Sequence, residues 1–297
     1  MLKIECYFLG QKGFAALSGM IEHGLGNYIV AVIVGRDPYI HKDYYTEMVA
    51  ICQENNIPIF DRQGYTPVGD VSMRCAVGWK WMIQGCDRLV TIHDSLLPKY
   101  RGFLPLVTML INGERKIGAT AILASDEFDK GPILMQVCRD IDYPIKVHHA
   151  IDRVCECYAE ILVSLCKVFL STGSMPDAKE QDESQATYSL WRDEHDYFVD
   201  WHLSAAQIKR FIDSVGYPYL GAKAYCNGQL MTLLDAEVIE DFTIVNRTVG
   251  KVIMLKNGCP CVVCGQGLLK VTQLQDEQGN SVLPFNKLRV QFGKISS

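Results

Sequence analysis

A histidine and an aspartate follow two predicted strands and could form a pair for proton transfer. His93 ends the segment RLVTIH (88–93), and Asp129 lies in the turn after the segment GATAILAS (118–125). A carboxylate beside an imidazole fixes the orientation of the ring and favours its charged form. Such a pair can take a proton from a nucleophile or polarise a carbonyl group. Each residue alone is more often structural, so the prediction depends on the two side chains meeting.

The loop after the first predicted strand contains a lysine and opens a helix. Its sequence, LGQKGF (9–14), lacks the G-x-G-x-x-G pattern, which argues against a dinucleotide site. The start of a helix attracts anions, so Lys12 could bind an anionic group of a substrate. An ordinary strand-to-helix turn explains the same sequence equally well.

Alternating strands and helices in the first half of the chain are expected to position these residues. The predicted strands are 3–10, 28–35, 57–61, 72–79, 88–93 and 118–125, and the predicted helices are 13–24, 43–55 and 148–170. This alternation predicts a doubly wound α/β fold with a mostly parallel sheet. Ligands of such sheets bind beyond the carboxyl ends of the strands, where His93 and Asp129 are expected.

The second half of the chain has a different pattern, and we predict three regions. They are a catalytic domain over 1–175, a linker over 176–204 and a small β domain over 205–297. The linker is polar and contains Pro176. After a helix at 204–215, short strands recur at 222–226, 229–239, 250–255, 260–264 and 267–275. Short strands at such spacing indicate a small barrel or sandwich.

Composition and charge exclude several classes of protein. The chain has 297 residues, of which 48% are hydrophobic and 21% charged, and its net charge is −5. A disordered chain and a whole-chain basic surface for nucleic acid are therefore not expected. No segment approaches the roughly 18 consecutive apolar residues of a membrane span. The first residues, MLKIECYFLG, predict a strand rather than a secretion signal, so we expect a cytoplasmic protein whose twelve cysteines are reduced.

The segment CPCVVC (259–264) looks like a metal cluster at first sight. It has no fourth ligand nearby, however, and lies between two apolar strand-like segments. Buried thiols on a strand are the favoured interpretation, and no metal site is predicted. Cys155 and Cys157 fall in the predicted helix 148–170 and are expected to be packing residues.

Three segments together resemble the N10-formyltetrahydrofolate-dependent formyltransferase family. They are IHDSLLPKYRG (92–102), INGERKIGAT (111–120) and DKGPIL (129–134). The family pattern is Asn-x-His-x-Ser-Leu-Leu-Pro-x-x-Arg-Gly, followed by an Asp-x-Gly loop. The resemblance covers most of the chain, because FVDWHLSAAQIKRFIDSV (198–215) is similar to the beginning of the family's C-terminal β domain. It implies a doubly wound formyltransferase domain, an OB-like C-terminal barrel and N10-formyltetrahydrofolate as the formyl donor.

The resemblance also implies roles for individual residues. His93 and Asp129 match the catalytic histidine and aspartate, and Thr91 stands where the family has a catalytic asparagine. Positions that match folate-binding residues are Trp81, Met82 and Ile83, then Ser95, Leu96, Leu97 and Pro98, and finally Ser125, Asp126, Glu127 and Phe128. A flat pterin suits an apolar slot with exposed backbone amides.

Thr91 is the main departure from the family pattern. The family's asparagine donates a hydrogen bond to the oxyanion, and losing one such donor costs roughly 2.7–4 kcal/mol. The threonine hydroxyl is a single donor on a shorter arm. Three interpretations follow: an active enzyme with a weaker donor, which we favour, a member that binds ligand but does little chemistry, and an enzyme with a different reaction.

The segment GWKWMI (78–83) resembles the Gly-Trp-x-Trp segment of nucleotide-sugar N-formyltransferases. Indole rings can stack on a sugar or a base. Residues 205–297 hold ten Lys plus Arg against seven Asp plus Glu, too small a surplus for a tRNA-binding surface. We therefore predict that the acceptor is an amino sugar linked to a nucleotide, for a bacterial surface polysaccharide. The residues predicted to bind it are Lys12, Trp79, Arg101 and Phe103, the last standing where aminoarabinose-nucleotide enzymes carry arginine.

Two alternatives remain open. The first is a methionyl-tRNA formyltransferase, which the C-terminal barrel favours. The second is a silent homologue that binds folate or a nucleotide sugar, because of Thr91. A homodimer formed through the C-terminal half is implied by the resemblance, whereas membrane and nucleic-acid partners are not expected.

Overall fold

Seven strands of the first half form one mixed sheet. In this computed structural model, which describes residues 1–37, 42–83 and 88–293, the chain contains nine strands before residue 190. They are β1 (Ile4–Phe8), β2 (Ile29–Val34), β3 (Ile59–Asp61), β4 (Met73–Val77), β5 (Leu89–His93), β6 (Arg101–Gly102), β7 (Lys116–Leu123), β8 (Ile133–Asp140) and β9 (Tyr188–Ser189). The sheet order is β3-β2-β1-β4-β5-β7-β8, while β6 and β9 pair with each other.

The sheet is parallel from β3 to β5 and antiparallel beyond it. Strand β2 consists of aliphatic residues and is almost wholly buried, as expected for a strand covered on both faces. Strand β8 alternates between buried and more exposed residues and lies at the edge. The prediction of a doubly wound, mostly parallel sheet is confirmed.

Four helices accompany these strands. They are α1 (Gly10–Glu22), α2 (Tyr45–Glu54), α3 (Pro105–Asn112) and α4 (Val147–Thr172). Helix α4 buries Val154, Tyr158, Ile161 and Leu165, which recur at helical spacing. Cys155 and Cys157 are also buried, as predicted for packing residues, and burial raises the pKa of Cys155 to about 12. No helix in the described part of the chain is long and apolar enough to cross a membrane.

The direction of β7 corrects the predicted placement of the loop that carries Asp129. Because β7 runs antiparallel to β5, Leu123 lies opposite Val90 and His93 lies opposite Thr120. The loop after β7 therefore starts beside the amino end of β5, not at the carboxyl ends of the parallel strands. The loop must therefore run back toward the carboxyl end of β5 to bring Asp129 to His93.

The remainder of the chain forms an antiparallel barrel. After α5 (Ala205–Val215) come β10 (Ala222–Cys226), β11 (Gln229–Ile239), β12 (Val252–Lys256), β13 (Cys259–Val263), β14 (Leu268–Gln275) and β15 (Phe292–Gly293). Their order is β12-β13-β14-β11-β10-β15. The two edges meet, since the Val252 amide donates to the Val290 carbonyl at 3.0 Å and the Phe292 amide donates to the Gly250 carbonyl at 2.7 Å. Cys261 and Cys264 are buried in this barrel, as predicted.

The structure divides the chain differently from the prediction. One compact unit comprises 1–106, 115–141 and 150–190, and the other comprises 107–114, 142–149 and the residues from 191 onward. The first part of the predicted linker 176–204 thus belongs to the first unit. Lys179 exchanges backbone hydrogen bonds with Ile133 at 2.7 and 2.8 Å, which fixes this segment to the edge of the sheet.

Candidate active site

A cavity of about 780 Å³ opens beside β5 in the first unit. Thr91, His93 and Asp129 all line it, so the structure brings the three predicted catalytic residues together. Thr91 and His93 are two residues apart on β5 and therefore point to the same face. The wall around them is apolar, formed by Ala76, Ile83, Leu89 and Ile122.

Both nitrogens of His93 are oriented by neighbours. Nε2 lies 2.8 Å from the Tyr100 carbonyl oxygen, and Nδ1 lies 3.4 Å from Oδ1 of Asp129. A carbonyl oxygen can only accept, so we assign a proton to Nε2. The Nδ1 edge then faces the Asp129 carboxylate, and this shared edge can hold a second proton.

Asp129 is held from two sides. Its Oδ2 accepts a hydrogen bond from the Gly102 amide at 2.8 Å, and its backbone carbonyl accepts one from Nε2 of Gln181 at 2.8 Å. The residue has a φ of 59°, in the left-handed region that aspartate tolerates better than most residues. These contacts aim the carboxylate at His93 although the loop starts at the other end of β5.

The segment Ser95–Pro98 supports the site from behind. The Thr120 hydroxyl donates to the Ser95 carbonyl at 2.6 Å and accepts from the Leu97 amide at 3.0 Å. Gln136 donates to the Leu97 carbonyl at 2.8 Å. Direct folate contact had been predicted for Ser95, Leu96, Leu97 and Pro98, but none of the four lines the cavity. The backbone groups of Ser95 and Leu97 bond to Thr120 and Gln136 of the sheet, which positions the turn between His93 and Tyr100, and the folate contact of the four residues stays a prediction.

Two tryptophans and the residues after them form another wall. Trp79, Trp81, Met82 and Ile83 all line the cavity, as does the exposed loop Ser125, Asp126, Glu127 and Phe128. The Trp79 and Trp81 rings meet edge to face at 4.9 Å, and the Arg62 guanidinium lies 4.2 Å above the Trp81 ring. The indole Nε1 of Trp79 is buried, and no residue in the described ranges accepts its hydrogen bond.

The mouth of the cavity is rimmed by exposed apolar side chains. Phe128, Met82 and Phe103 are 89%, 85% and 64% exposed and come from three separate segments. Large apolar groups that face solvent around a cavity indicate a binding surface. Phe103 therefore stays in its predicted position for contact with an acceptor.

Arg101 is not in the cavity, and its predicted role in substrate binding is corrected. Its side chain is only 1% exposed and bonds to Gln181 at 2.7 and 3.1 Å and to Glu183 at 2.7 and 2.9 Å. Each of these hydrogen bonds of the Arg101 guanidinium goes to another side chain of the protein. Arg101 ties the loop after β5 to the segment before β9 and also holds Gln181, which contacts Asp129.

A polar group that the sequence did not indicate lies next to His93. The Asp94 carboxylate forms an ion pair with Lys12 and accepts a hydrogen bond from the Tyr158 hydroxyl. All three residues line the cavity. The Lys12 ammonium, predicted as a contact for a substrate anion, is thus already paired within the protein. Lys12 and Asp94 are 82 positions apart in the chain, so no local sequence motif predicts their pairing.

The fold thus combines an α/β unit, which holds a cavity with a histidine and an aspartate, with an antiparallel barrel. The family model "Formyl transferase" matches residues 82–165, and "Formyl transferase, C-terminal domain" matches residues 192–284. The chain belongs to the formyl transferase family, whose members are one-carbon transferases.

Curated relatives of this chain include methionyl-tRNA formyltransferases. The methionyl-tRNA formyltransferase of Caldanaerobacter subterraneus subsp. tengcongensis is 31% identical over 193 residues, 65% of this chain and 60% of that protein. The match therefore spans about three fifths of the curated relative.

Two sugar N-formyltransferases are among the solved structures that share the fold. WlaRD, a sugar 3N-formyl transferase, has a TM-score of 0.62 at 17% identity, with 100% of this chain and 99% of that chain covered. The N-formyltransferase from Helicobacter canadensis, in complex with folinic acid and dTDP-3-aminofucose, has a TM-score of 0.63 at 13% identity, with 91% and 98% covered. At these identities the similarity shows the fold alone.

Proposed function

We propose that this chain transfers a formyl group from N10-formyltetrahydrofolate to the primary amine of an amino sugar linked to a nucleotide. The observation that carries the proposal is the convergence of His93, Asp129 and Thr91 on one cavity wall in a member of the formyl transferase family. The three side chains come from β5 and from a loop that returns to it, so the fold itself assembles them.

The cavity fits the folate donor. Its volume of about 780 Å³ is in the range of sites for ligands of this size. Its lining is largely apolar, with a few polar groups at fixed positions, among them Thr91, His93 and Asp129. A flat heterocycle suits such a slot.

The chemistry is a transfer to an amine, and the chain supplies three groups for it. The bound donor would present an electrophilic formyl carbon. The Thr91 hydroxyl donates a hydrogen bond, and the His93 ring lies on the same cavity wall, where negative charge develops on the formyl oxygen. The Asp129 carboxylate accepts the proton that the attacking amine loses, directly or through a water. Return of this proton to N10 would let the bond between the formyl carbon and N10 break, so that tetrahydrofolate leaves.

Three features support a sugar nucleotide as the acceptor. The two tryptophans and Phe103 offer rings for stacking at the cavity. The small surplus of basic residues after 205 is a poor basis for binding tRNA. Two of the solved structures with the same fold are sugar N-formyltransferases by name, although a methionyl-tRNA formyltransferase from Clostridium thermocellum also shares it.

A methionyl-tRNA acceptor is the second candidate, because the curated relative with 31% identity carries that name. Steady-state formyl transfer separates the two. The purified chain would be assayed with N10-formyltetrahydrofolate and a panel of dTDP-, GDP- and UDP-linked amino sugars, beside charged initiator tRNA. Turnover on an amino sugar but not on tRNA is expected, and turnover on tRNA alone would overturn the proposed acceptor.

The same panel tests for a silent homologue. If Thr91 cannot support transfer, no acceptor will turn over although folate still binds.

We further propose that the enzyme works in the cytoplasm, supplies a bacterial surface polysaccharide and forms a homodimer through its C-terminal half. Analytical ultracentrifugation checks the last point, since a sedimentation coefficient of a monomer at all concentrations would exclude it.

A further inference from the structure

The first turn of α1 carries a cation that the chain itself neutralises. Lys12 is the third residue of the helix, and its ammonium group forms an ion pair with the Asp94 carboxylate. The two side chains are 24% and 13% exposed. The first turn of a helix favours anions, and here the anion comes from within the protein.

Asp94 is fixed in this position by a second helix. The Tyr158 hydroxyl of α4 bonds to the carboxylate and lies 3.0 Å from the Ile92 carbonyl oxygen. The Tyr158 ring is also 5.9 Å from the Lys12 ammonium. Burial alone would raise the pKa of Asp94, but Lys12 and Tyr158 outweigh it, so the pKa lies below its ordinary value. The carboxylate is therefore ionised at neutral pH.

We propose that Asp94 is a built-in counter-anion that excludes phosphate from this end of the cavity, so that an uncharged, hydroxyl-bearing part of the acceptor binds beside Lys12. This inference deepens the proposed function and rests on it for the identity of the acceptor. A phosphate that approached Lys12 would meet the Asp94 charge, with Asp129 in the same cavity lining. Like charges brought together in a partly desolvated site repel each other strongly.

A sugar hydroxyl carries no charge, so the Asp94 carboxylate does not repel it. It can donate to a carboxylate and accept from an ammonium group, so a Lys–Asp pair suits it. The diphosphate of a nucleotide-linked acceptor then has to bind away from the first turn of α1. The pair thus selects which end of the acceptor enters the cavity beside His93.

Titration calorimetry with inorganic pyrophosphate tests the exclusion directly. The wild-type chain should bind this probe weakly. Asp94→Asn should bind it about tenfold more tightly, because the carboxylate charge that repels the probe beside Lys12 is removed. Adding Lys12→Met to Asp94→Asn should remove the gain. No gain in Asp94→Asn, or a gain that survives Lys12→Met, would overturn the proposal.

Two further variants complete the design. Asp152→Asn makes the same change in net charge nearby, where the carboxylate accepts from Gln11 at 2.7 Å, and it should leave pyrophosphate binding unchanged. If Asp94→Asn does not fold, Lys12→Met alone decides the question. It should not weaken the binding of pyrophosphate, and a clear loss would show that Lys12 already binds anions. The probe needs no turnover, so this test can fail or succeed independently of formyl transfer.

Discussion

The imidazole of His93 is oriented by contacts that the protein makes without any ligand. Its Nε2 donates to the Tyr100 carbonyl, and its Nδ1 faces Asp129 at 3.4 Å. That separation is longer than a good charge-assisted hydrogen bond. Catalytic pairs are often loose before substrate binds, so the distance is compatible with a pair that tightens in the complex.

In the proposed mechanism, the Thr91 hydroxyl donates a hydrogen bond to the oxyanion. Asparagine at this position would reach further and donate through an amide, so we expect Thr91→Asn to raise kcat by about tenfold with little change in folate affinity. Thr91→Val, which keeps the shape and removes the hydroxyl, should lower kcat. Single-turnover formyl transfer measures both. A large fall in Thr91→Asn would show that the site is built around threonine.

The pKa of Asp94 predicts a pH dependence of stability. Its folded-state pKa is lowered, because Lys12 and Tyr158 outweigh the effect of burial. Its contribution is therefore fully present above the ordinary carboxyl pKa of about 4 and is lost as the pH falls through the lowered value. Urea unfolding should show a deficit for Asp94→Asn at pH 7 that shrinks below about pH 4. A deficit independent of pH would contradict this role of the charge.

At the scale of elements, a chain of contacts links a buried arginine to the catalytic loop. Arg101 bonds to the Gln181 amide oxygen, and the Gln181 amide nitrogen donates to the carbonyls of Asp129 and Gly131 at 2.8 Å. The contacts join the turn after β5, the segment before β9 and the loop after β7. Arg101 is thus a positioning residue.

Replacing Arg101 tests this linkage. Arg101→Met should lower the free energy of unfolding by about 2 kcal/mol, since buried hydrogen bonds are lost, and should also lower kcat with a smaller effect on KM. Arg139→Met is the matched control. Arg139 forms ion pairs with Glu156 and Glu160 nearer the surface, which are worth less than about 1 kcal/mol. Equal effects of the two variants on kcat would refute the positioning role.

The sequence predicted the strands of the parallel region and the first five strands of the barrel, because their apolar periodicity is local, whereas the two-residue β15 was not predicted. The bounds of β10 and β11 match the predicted 222–226 and 229–239. Helix α3 was not predicted, because PLVTMLIN is short and mostly apolar, and such a segment can be either a buried strand or a helix. The antiparallel direction of β7 could not be predicted from the sequence, because a strand that is buried on both faces has the same apolar pattern in either direction.

The candidate site, like the fold, was only partly predictable from the sequence. His93 and Asp129 were found from motif and spacing, whereas Asp94, Tyr158 and Gln181 act through contacts between distant segments. A buried arginine cannot be told from an exposed one by its neighbours KYRGF, so Arg101 was misassigned. What the sequence did not reveal is the set of long-range polar contacts that aim the catalytic groups.

At the scale of the whole molecule, the second unit depends on closure of its barrel. Gly250 has a φ of 81°, and a side chain there would approach the Phe292 carbonyl oxygen to 2.0 Å. Gly228 has a similar φ of 85° but open space around it. Gly250→Ala should therefore destabilise the second unit by at least about 2 kcal/mol more than Gly228→Ala. Hydrogen exchange over β12 and β15 measures this, and equal protection in both variants would contradict closure at this point.

The account as a whole depends on a formyl transfer centred on His93. The most direct measurement is the rate of transfer from N10-formyltetrahydrofolate to the best amino-sugar nucleotide, for the wild-type chain and for His93→Ala, with folate binding checked in both. We predict clear turnover by the wild type and a fall of about 10³-fold or more in His93→Ala at unchanged folate affinity. A near-normal rate in His93→Ala would contradict the assignment.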